Sequence, residues 1–487
     1  MEELGVADLI AMVHALQNQM NSMRETYEAR IAELEKENAA LRARVADLEA
    51  RLRTNSQNSS KPPSTDGPQV PTRSLRKASK RKPGGQDGHR GQTLKQVSDP
   101  DVVIRHEPTC CRGCGSYLAG AAEVGCSRRQ VFDLPPIKVH VTEHRIISRR
   151  CRCGKTTTGQ TPAQATAPAQ YGPVLRAVII YLFMGQFLSK KRTAQAISEL
   201  FGIPVSDGTV AAVTSRAAAD LTAFLSQVNA RLKASLVVHF DETELRCQGK
   251  NRWLHSASTP HWTRLFFHQR RGTEAMNEMG VLPGFTGTAV HDAWAPYDSY
   301  TTAEHALCNA HLLRELQAVT DHHATTDTPT AWCWADQVSR ALLALHHYAA
   351  THPDRPVTPE LIAHHTTAIR HALLAATHPT GAIGRKHRAL KLRIHKREAD
   401  YLKFAHHPAI PFTNNPAEQE IRMTKIRQKV SGTMRTQKGA ENLADLRSYL
   451  QTTAKHGIQA LTALTSLTSR NPWLPGYPLT SYSPARY

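Results

Sequence analysis

Apolar residues near the start of the chain recur at heptad spacing. Ile31, Val45 and Leu52 share one position with Asn38, and Leu34, Leu41 and Leu48 fall three residues later in each repeat. That 3.5-residue period predicts a coiled coil over residues 5–53. In a parallel pair Glu37 meets Arg42 of the second copy and Arg44 meets Glu49, while Asn38 in the seam favours two strands in register, so a homodimer is expected. The pattern then disappears. Residues 54–100 are polar and basic, with eight Lys/Arg and a single Asp between 73 and 95. Such a stretch buries too little to offset its ordering entropy and reads as a disordered linker suited to sliding along phosphates. Residues 101–157 alternate short strand-like runs (129–134 and 139–145) with cysteine pairs. From 171 to 232 the period is helical: an apolar helix over 171–188, a second over 193–201 stopped by Gly202-Ile-Pro204, and a third opened by Ser206. Two helices around a glycine turn are the pattern of a helix-turn-helix-like DNA-binding domain.

After residue 233 the period falls to two. Runs at 235–241, 252–258 and 262–268 read as strands, followed by a short helix at 273–279. A strand ending at Asp292, another at 305–308 and a helix from Asn309 complete the series. Three strands, helix, strand, helix is the order of a ribonuclease-H-like fold, in which the first and fourth strands are neighbours. The core is expected over 233–320 and 413–455, with a helical insertion at 321–412 and a C-terminal tail at 456–487. The fold class is thus multidomain α/β, with that core preceded by the coiled coil, a small metal-binding domain and the helical domain.

Composition narrows the partners. Against 41 Asp and Glu stand 61 Lys and Arg, a formal charge of +20 with a pI near 9.7, which points to a polyanion such as DNA. The run 385–397 adds seven Lys/Arg without an acid, a candidate DNA clamp. The longest apolar run, 177–188, contains Gly185 and Gln186 and is too short to span a bilayer. The first residues read as a helix rather than a signal peptide, and the cysteines as metal ligands in a reducing compartment, so a cytoplasmic location is expected. Cys111-Arg-Gly-Cys114-Gly and Cys151-Arg-Cys153-Gly suit a structural Zn²⁺ bound by Cys111, Cys114, Cys151 and Cys153, with Cys110 and Cys126 as spare thiols.

Three acids stand at the ends of capped or apolar segments: Asp241, Asp292 and Glu418. Together they are of the kind that holds two Mg²⁺ or Mn²⁺ ions for phosphoryl transfer. Nearby acids compete: Glu242 and Glu244 with Asp241, Asp298 with Asp292, and Glu420 with Glu418. Taking Asn415 as the cap, Glu418 falls where a glutamate often closes a capping box. Arg422, Lys425 and Lys429 follow on roughly the same helical face and are candidate DNA contacts. Cys308 and His311 share C-x-x-H spacing, but two ligands alone make no zinc site.

Nearly the whole chain resembles the transposases of insertion sequence 66, DDE enzymes with a ribonuclease-H-like core. The resemblance rests on Ser56-Gln-Asn-Ser-Ser-Lys-Pro-Pro-Ser, Lys82-Pro-Gly-Gly-Gln-Asp-Gly-His-Arg-Gly, the paired cysteines, Asp241-Glu-Thr and Asp292-Ala-Trp-Ala-Pro-Tyr. It continues in Cys308-Asn-Ala-His-Leu-Leu-Arg-Glu-Leu and Asn414-Asn-Pro-Ala-Glu-Gln-Glu-Ile-Arg. Gln419 stands where that family usually has Arg, and Gly432-Thr-Met-Arg where an aromatic is usual. The resemblance implies Asp241, Asp292 and Glu418 as the catalytic triad, cutting element ends and joining a 3′-hydroxyl to target DNA. Accessory transposition proteins are an open partner class. A catalytically inactive relative, or a regulator that binds ends and never cuts, is the alternative; the presence of all three acids argues against it.

Overall fold

Helix α1 (Val6–Leu52) is a single rod of 47 residues, about 70 Å long at 1.5 Å per residue. Ile31, Leu34, Leu41, Val45 and Leu48 all lie exposed along it. The computed structural model describes residues 6–52, 94–134, 137, 139–162, 165–324, 332–379 and 381–476. Most of the expected basic linker, and the end of the chain after 476, lie outside the described residues. Two compact units divide the chain, one of them formed mainly by residues 73–168.

That smaller unit has almost no core. Val102, Val103, Ile104, Val131, Phe132, Val141 and Ile147 are exposed. The runs 129–134 and 139–145, expected as strands, form no ladder, since no apolar surface collects them. Its one named strand pair is β1 (Ser148–Arg150) against β2 (Thr156–Thr158), antiparallel around the second cysteine pair.

In the larger unit, α2 (Pro173–Ile180) runs into a π turn at Tyr181–Gly185. The single apolar helix expected over 171–188 therefore breaks early, and Phe187 takes a left-handed backbone. After α3 (Lys190–Phe201) comes α4 (Asp207–Ala219), where Ser206 accepts the Thr209 N–H at 3.0 Å as an N-cap. The inward face of α4 (Val210, Val213, Ala217) packs towards α2 and towards α13 (Gln437–Lys455); α5 (Thr222–Lys233) leads into the sheet.

The sheet has five strands: β3 (Val237–Cys247), β4 (Lys250–Ser258), β5 (Thr263–His268), β6 (Thr288–His291) and β7 (Glu304–Leu307), in the order β5-β4-β3-β6-β7. The first three are antiparallel and the last two run parallel to β3. Strand β3 runs on to Cys247 because Leu245 and Cys247 keep alternating inward. It turns back through Gln248 and Gly249, both at positive φ, as a tight two-residue hairpin requires. At Gly287 a Cβ would come within 2.6 Å of the Ser235 and Leu236 carbonyl oxygens, so only glycine lets β6 enter beside β3. Helix α6 (Thr273–Met279) connects β5 to β6, and a 3₁₀ turn at Ala295–Ser299 connects β6 to β7.

Both sheet edges are covered. On β5, the Leu265 N–H donates to Ser448 Oγ (2.8 Å) and the Thr263 N–H to Thr452 Oγ1 (3.1 Å), so α13 takes up donors an open edge would expose. On the other side α7 (Asn309–Ala324), α8 (Trp334–Thr351), α9 (Pro359–Leu374), α10 (Gly381–Lys396) and α11 (Glu398–His406) follow β7. Val290, Ala306 and Leu307 of the sheet share one core with Val338, Leu342, Ile369 and Phe404 of these helices. The insertion thus extends the sheet's own core. Helix α12 (Asn415–Ser431) lies against β3 and β4. The segment expected as a tail carries α14 (Ala460–Thr468), whose Leu464 and Leu467 are buried against α2 and α13.

Candidate active site

Asp241 does not close its strand as the run 235–241 suggested: it lies midway along β3, two residues past the last residue paired with β6, opposite Ser256 of β4, whose hydroxyl donates to the Asp241 carbonyl at 3.2 Å. Asp241 Oδ1 accepts the Glu242 N–H at 2.9 Å. Burial pushes this carboxyl well above the usual range, reinforced by the charges of Glu242, Glu418 and Asp292. Asp292 follows the last residue of β6, the parallel neighbour of β3, and accepts the Trp294 N–H at 3.1 Å. Burial raises its carboxyl too. Among the described residues no Lys or Arg forms an ion pair with either aspartate.

Neighbouring acids are occupied. Glu242 is fixed by Arg271 (Nη2 to Oε1 2.5 Å) and by the Tyr297 hydroxyl (2.7 Å to Oε2), with Arg271 stacked 3.7 Å from the Trp294 ring centre and 4.8 Å from that of Trp253. Asp298 is exposed and paired with Arg397 at 2.5 Å. Glu420 pairs with Lys455 at 2.5 Å and accepts from Thr263, bonds that tie α12 to β5 and α13. Glu244 lies on the exposed side of β3.

Glu418 owes its place to the way α12 is pinned along β3. The cap is Asn414, not Asn415, and its side chain does not cap: it is fully buried, donates to the Phe240 carbonyl (2.6 Å) and accepts from His239 Nδ1 (2.9 Å). Midway, Lys425 Nζ and Gln428 Nε2 donate to the Glu244 carbonyl at 2.9 and 3.2 Å. Beyond the helix the Met434 N–H donates to the Arg246 carbonyl at 2.9 Å. Glu418, one turn in, is therefore no capping-box residue. Its Oε1 lies 3.6 Å from Arg314 Nη2 and 3.8 Å from His311 Nε2 of α7.

A buried histidine, His291, and a half-buried one, His311, flank the site. Burial pushes His291 and His311 down to about 3, so both rings are neutral. His291 stacks on Tyr297 and sits 2.9 Å from His305. Cys308, between β7 and α7, donates its N–H to the His291 carbonyl, and its sulfur accepts the Asn414 N–H at 3.1 Å. Among the described residues the one set of three His, Cys, Asp or Glu donors within 4.8 Å of one another is Cys308, His311 and Glu418. Asp241, Asp292 and Glu418 share a field without closing to that distance.

Of the basic residues after Glu418, Arg422 and Lys429 are exposed, while Lys425 is half-buried on the Glu244 carbonyl. On α10, Arg393 pairs with Glu315 and, just beyond, Arg397 with Asp298 and Asp400; Arg385, Lys386, Arg388 and Lys396 stay exposed. Arg271 had no signal in the sequence, and Arg314, Tyr297 and Asn414 lay in recognised motifs without a role.

In the smaller unit each cysteine pair forms a knuckle. The Gly115 N–H donates to the Cys111 carbonyl and the Gly154 N–H to the Cys151 carbonyl, both at 2.9 Å, and both glycines have positive φ. Hydrogen bonding with Ser116, whose Oγ lies 3.3 Å from the sulfur, and with Cys111 lowers the Cys114 thiol to about 7. Such knuckles fit half of a thiolate zinc site each, and Cys111 and Cys114 are not brought together with Cys151 and Cys153 here.

A multidomain α/β protein with two acids just beyond the paired stretch of adjacent parallel strands and a cysteine-knuckle unit is the class that these features define. Residues 168–442, more than half of the chain, match the Transposase IS66 family, and residues 108–154 match the zinc-finger binding domain of transposase IS66. The chain belongs to the IS66 family of transposases. Residues 15–95 match a family of unknown function. No curated protein matches the chain. Among the described residues no helix is long and apolar enough to cross a membrane.

Proposed function

We propose that this transposase cuts the ends of its insertion sequence and joins the freed 3′-hydroxyl to target DNA, using Asp241, Asp292 and Glu418. The observation that carries the reading is Asp241 on β3 and Asp292 just after β6, each two residues beyond the last paired position of these parallel neighbours, with Asp241 in the field of Asp292 and of Glu418 on α12. The order β5-β4-β3-β6-β7 supports a ribonuclease-H-like core. Two aspartates without a basic partner are hard oxygen donors that suit Mg²⁺ or Mn²⁺, and these three acids would hold the pair. When bound, such ions polarise the phosphate and activate water or the 3′-hydroxyl.

The chain's own residues do the rest. Arg271 and Tyr297 keep Glu242 engaged, leaving Asp241 and Asp292 as carboxylates that, among the described residues, have no ion-pair partner. Arg314 and His311 set the position of Glu418. Arg422, Lys429 and the exposed bases of α10 supply phosphate contacts. Residues 171–232 are assigned to reading the element ends, Cys111, Cys114, Cys151 and Cys153 to structural zinc, and α1 to pairing with a second copy.

The test is cleavage of a labelled duplex carrying the element's ends, in Mg²⁺ or Mn²⁺, by the parent and by Asp292→Asn. Cutting by the parent alone is expected; equal cutting by both would move the active site elsewhere.

A further inference from the structure

Beside the aspartates, the starts of α7 and α12 bring together donors of a different chemistry. Cys308 Sγ, a His311 ring nitrogen and a Glu418 oxygen all lie within 4.8 Å of one another. His311 Nε2 to Glu418 Oε1 is 3.8 Å. With Zn–S near 2.3 Å and Zn–N or Zn–O near 2.0–2.2 Å, tetrahedral ligands sit roughly 3.3–3.8 Å apart, so small side-chain adjustments close the shell. Two further observations point to a ligand. Glu418 Oε1 and His311 Nδ1 are buried polar atoms without a hydrogen-bond partner. The Cys308 sulfur accepts the Asn414 backbone N–H at 3.1 Å where the starts of α7 and α12 meet, and burial pushes the metal-free thiol up to about 11, so a cation there would have to displace its proton.

We propose that Cys308, His311 and Glu418 form a mononuclear site for zinc, or a cation of similar softness, whose occupancy pulls Glu418 towards α7 and inhibits cleavage. The proposal rests on the reading of Glu418 as a catalytic acid. Thiolate and imidazole select zinc, whereas magnesium prefers an all-oxygen octahedron, so the two ions sort onto different sides of one carboxylate. Arg314, 3.6 Å from Glu418, is the cation that zinc would replace as its counter-charge. The fourth position is left to water or a phosphate oxygen.

Full-length protein is equilibrated with excess zinc sulfate and exchanged into zinc-free buffer, and zinc per chain is measured for the parent, Cys308→Ser and His311→Gln. Each variant is expected to lose about one equivalent while the cysteine-knuckle zinc stays; equal content in all three overturns the proposal. If one variant fails to melt cooperatively, the other decides. Cleavage with and without added zinc is then compared within each protein. Inhibition of the parent but not of the variants is expected, and equal inhibition of all overturns the regulatory role. Glu418→Gln separates the underlying reading. If it still cuts in magnesium while the variants have lost their zinc, the site stands and the catalytic role of Glu418 falls.

Discussion

Asp241, proposed above as a catalytic acid, shows how such a role would oppose stability at a single residue. Its carboxyl is raised by burial first and then by three neighbouring acids, so the folded chain holds this proton more tightly than the unfolded chain does. Stability from this group is therefore present at low pH and is lost as pH rises from the ordinary carboxylate value through the raised folded one. Asp241→Asn removes that loss. In metal-free buffer near pH 7 it is expected to melt above the parent, with the difference narrowing towards pH 4. Each tenfold change in proton affinity is worth about 1.4 kcal/mol, which moves the midpoint of a large domain by about 2–4 °C. Cleavage by the same variant should fall to background. Melting curves across pH check the first half, and a variant that never out-melts the parent refutes it. Glu242, one residue on, is also raised by burial and by the Asp292 charge, but Arg271 and Tyr297 engage both of its oxygens and oppose the shift.

Helix α12 is anchored at its start, middle and end, and its exposed bases are the proposed phosphate contacts. Asn414 fixes its start to β3, Lys425 and Gln428 its middle, and the Met434 segment its end, so Glu418 is held by backbone and buried bonds. The bases after it divide accordingly. Arg422 and Lys429 are exposed and should act as phosphate contacts, whereas Lys425 already donates to the Glu244 carbonyl. Arg422→Ala and Lys429→Ala should each lower the slope of log affinity against log salt by about 0.9 on duplex DNA, at little cost in thermal stability. Lys425→Ala should cost stability first. Salt titrations of binding beside melting curves separate the two, and the same pattern at all three positions would refute the division.

At the scale of the whole molecule, α1 leaves an apolar seam with no cover in one chain. A rod of 47 residues cannot bury Ile31, Leu34, Leu41, Val45 and Leu48 on itself, and a second copy with complementary charges is the cover proposed for them. Sedimentation should show a dimer for the parent and a monomer for the double change Leu34→Asp, Leu41→Asp, with the remaining helices intact by circular dichroism. A parent that stays monomeric at tens of micromolar would refute the seam.

The linear pattern carried what depends on period and on near neighbours. The heptads marked α1, alternation marked the strands, Ser206 capped α4, and a strand end carried Asp292, whereas β3 runs on six residues past Asp241. It also gave the knuckle glycines, since a left-handed turn after a paired cysteine is a local demand. Other features depended on contacts far apart in sequence. Whether Glu418 or Glu420 faces the aspartates was decided by Lys455 and Thr263, which claim Glu420, and by Asn414, whose side chain reaches β3 instead of capping its own helix. The insertion's sharing of the β6–β7 core, the sealing of β5 by Ser448 and Thr452, and the meeting of Cys308 and His311 with Glu418 likewise need the chain closed. Periodicity fixes which face of an element is apolar; which distant side chain satisfies a buried polar group is settled only when packing brings the two together.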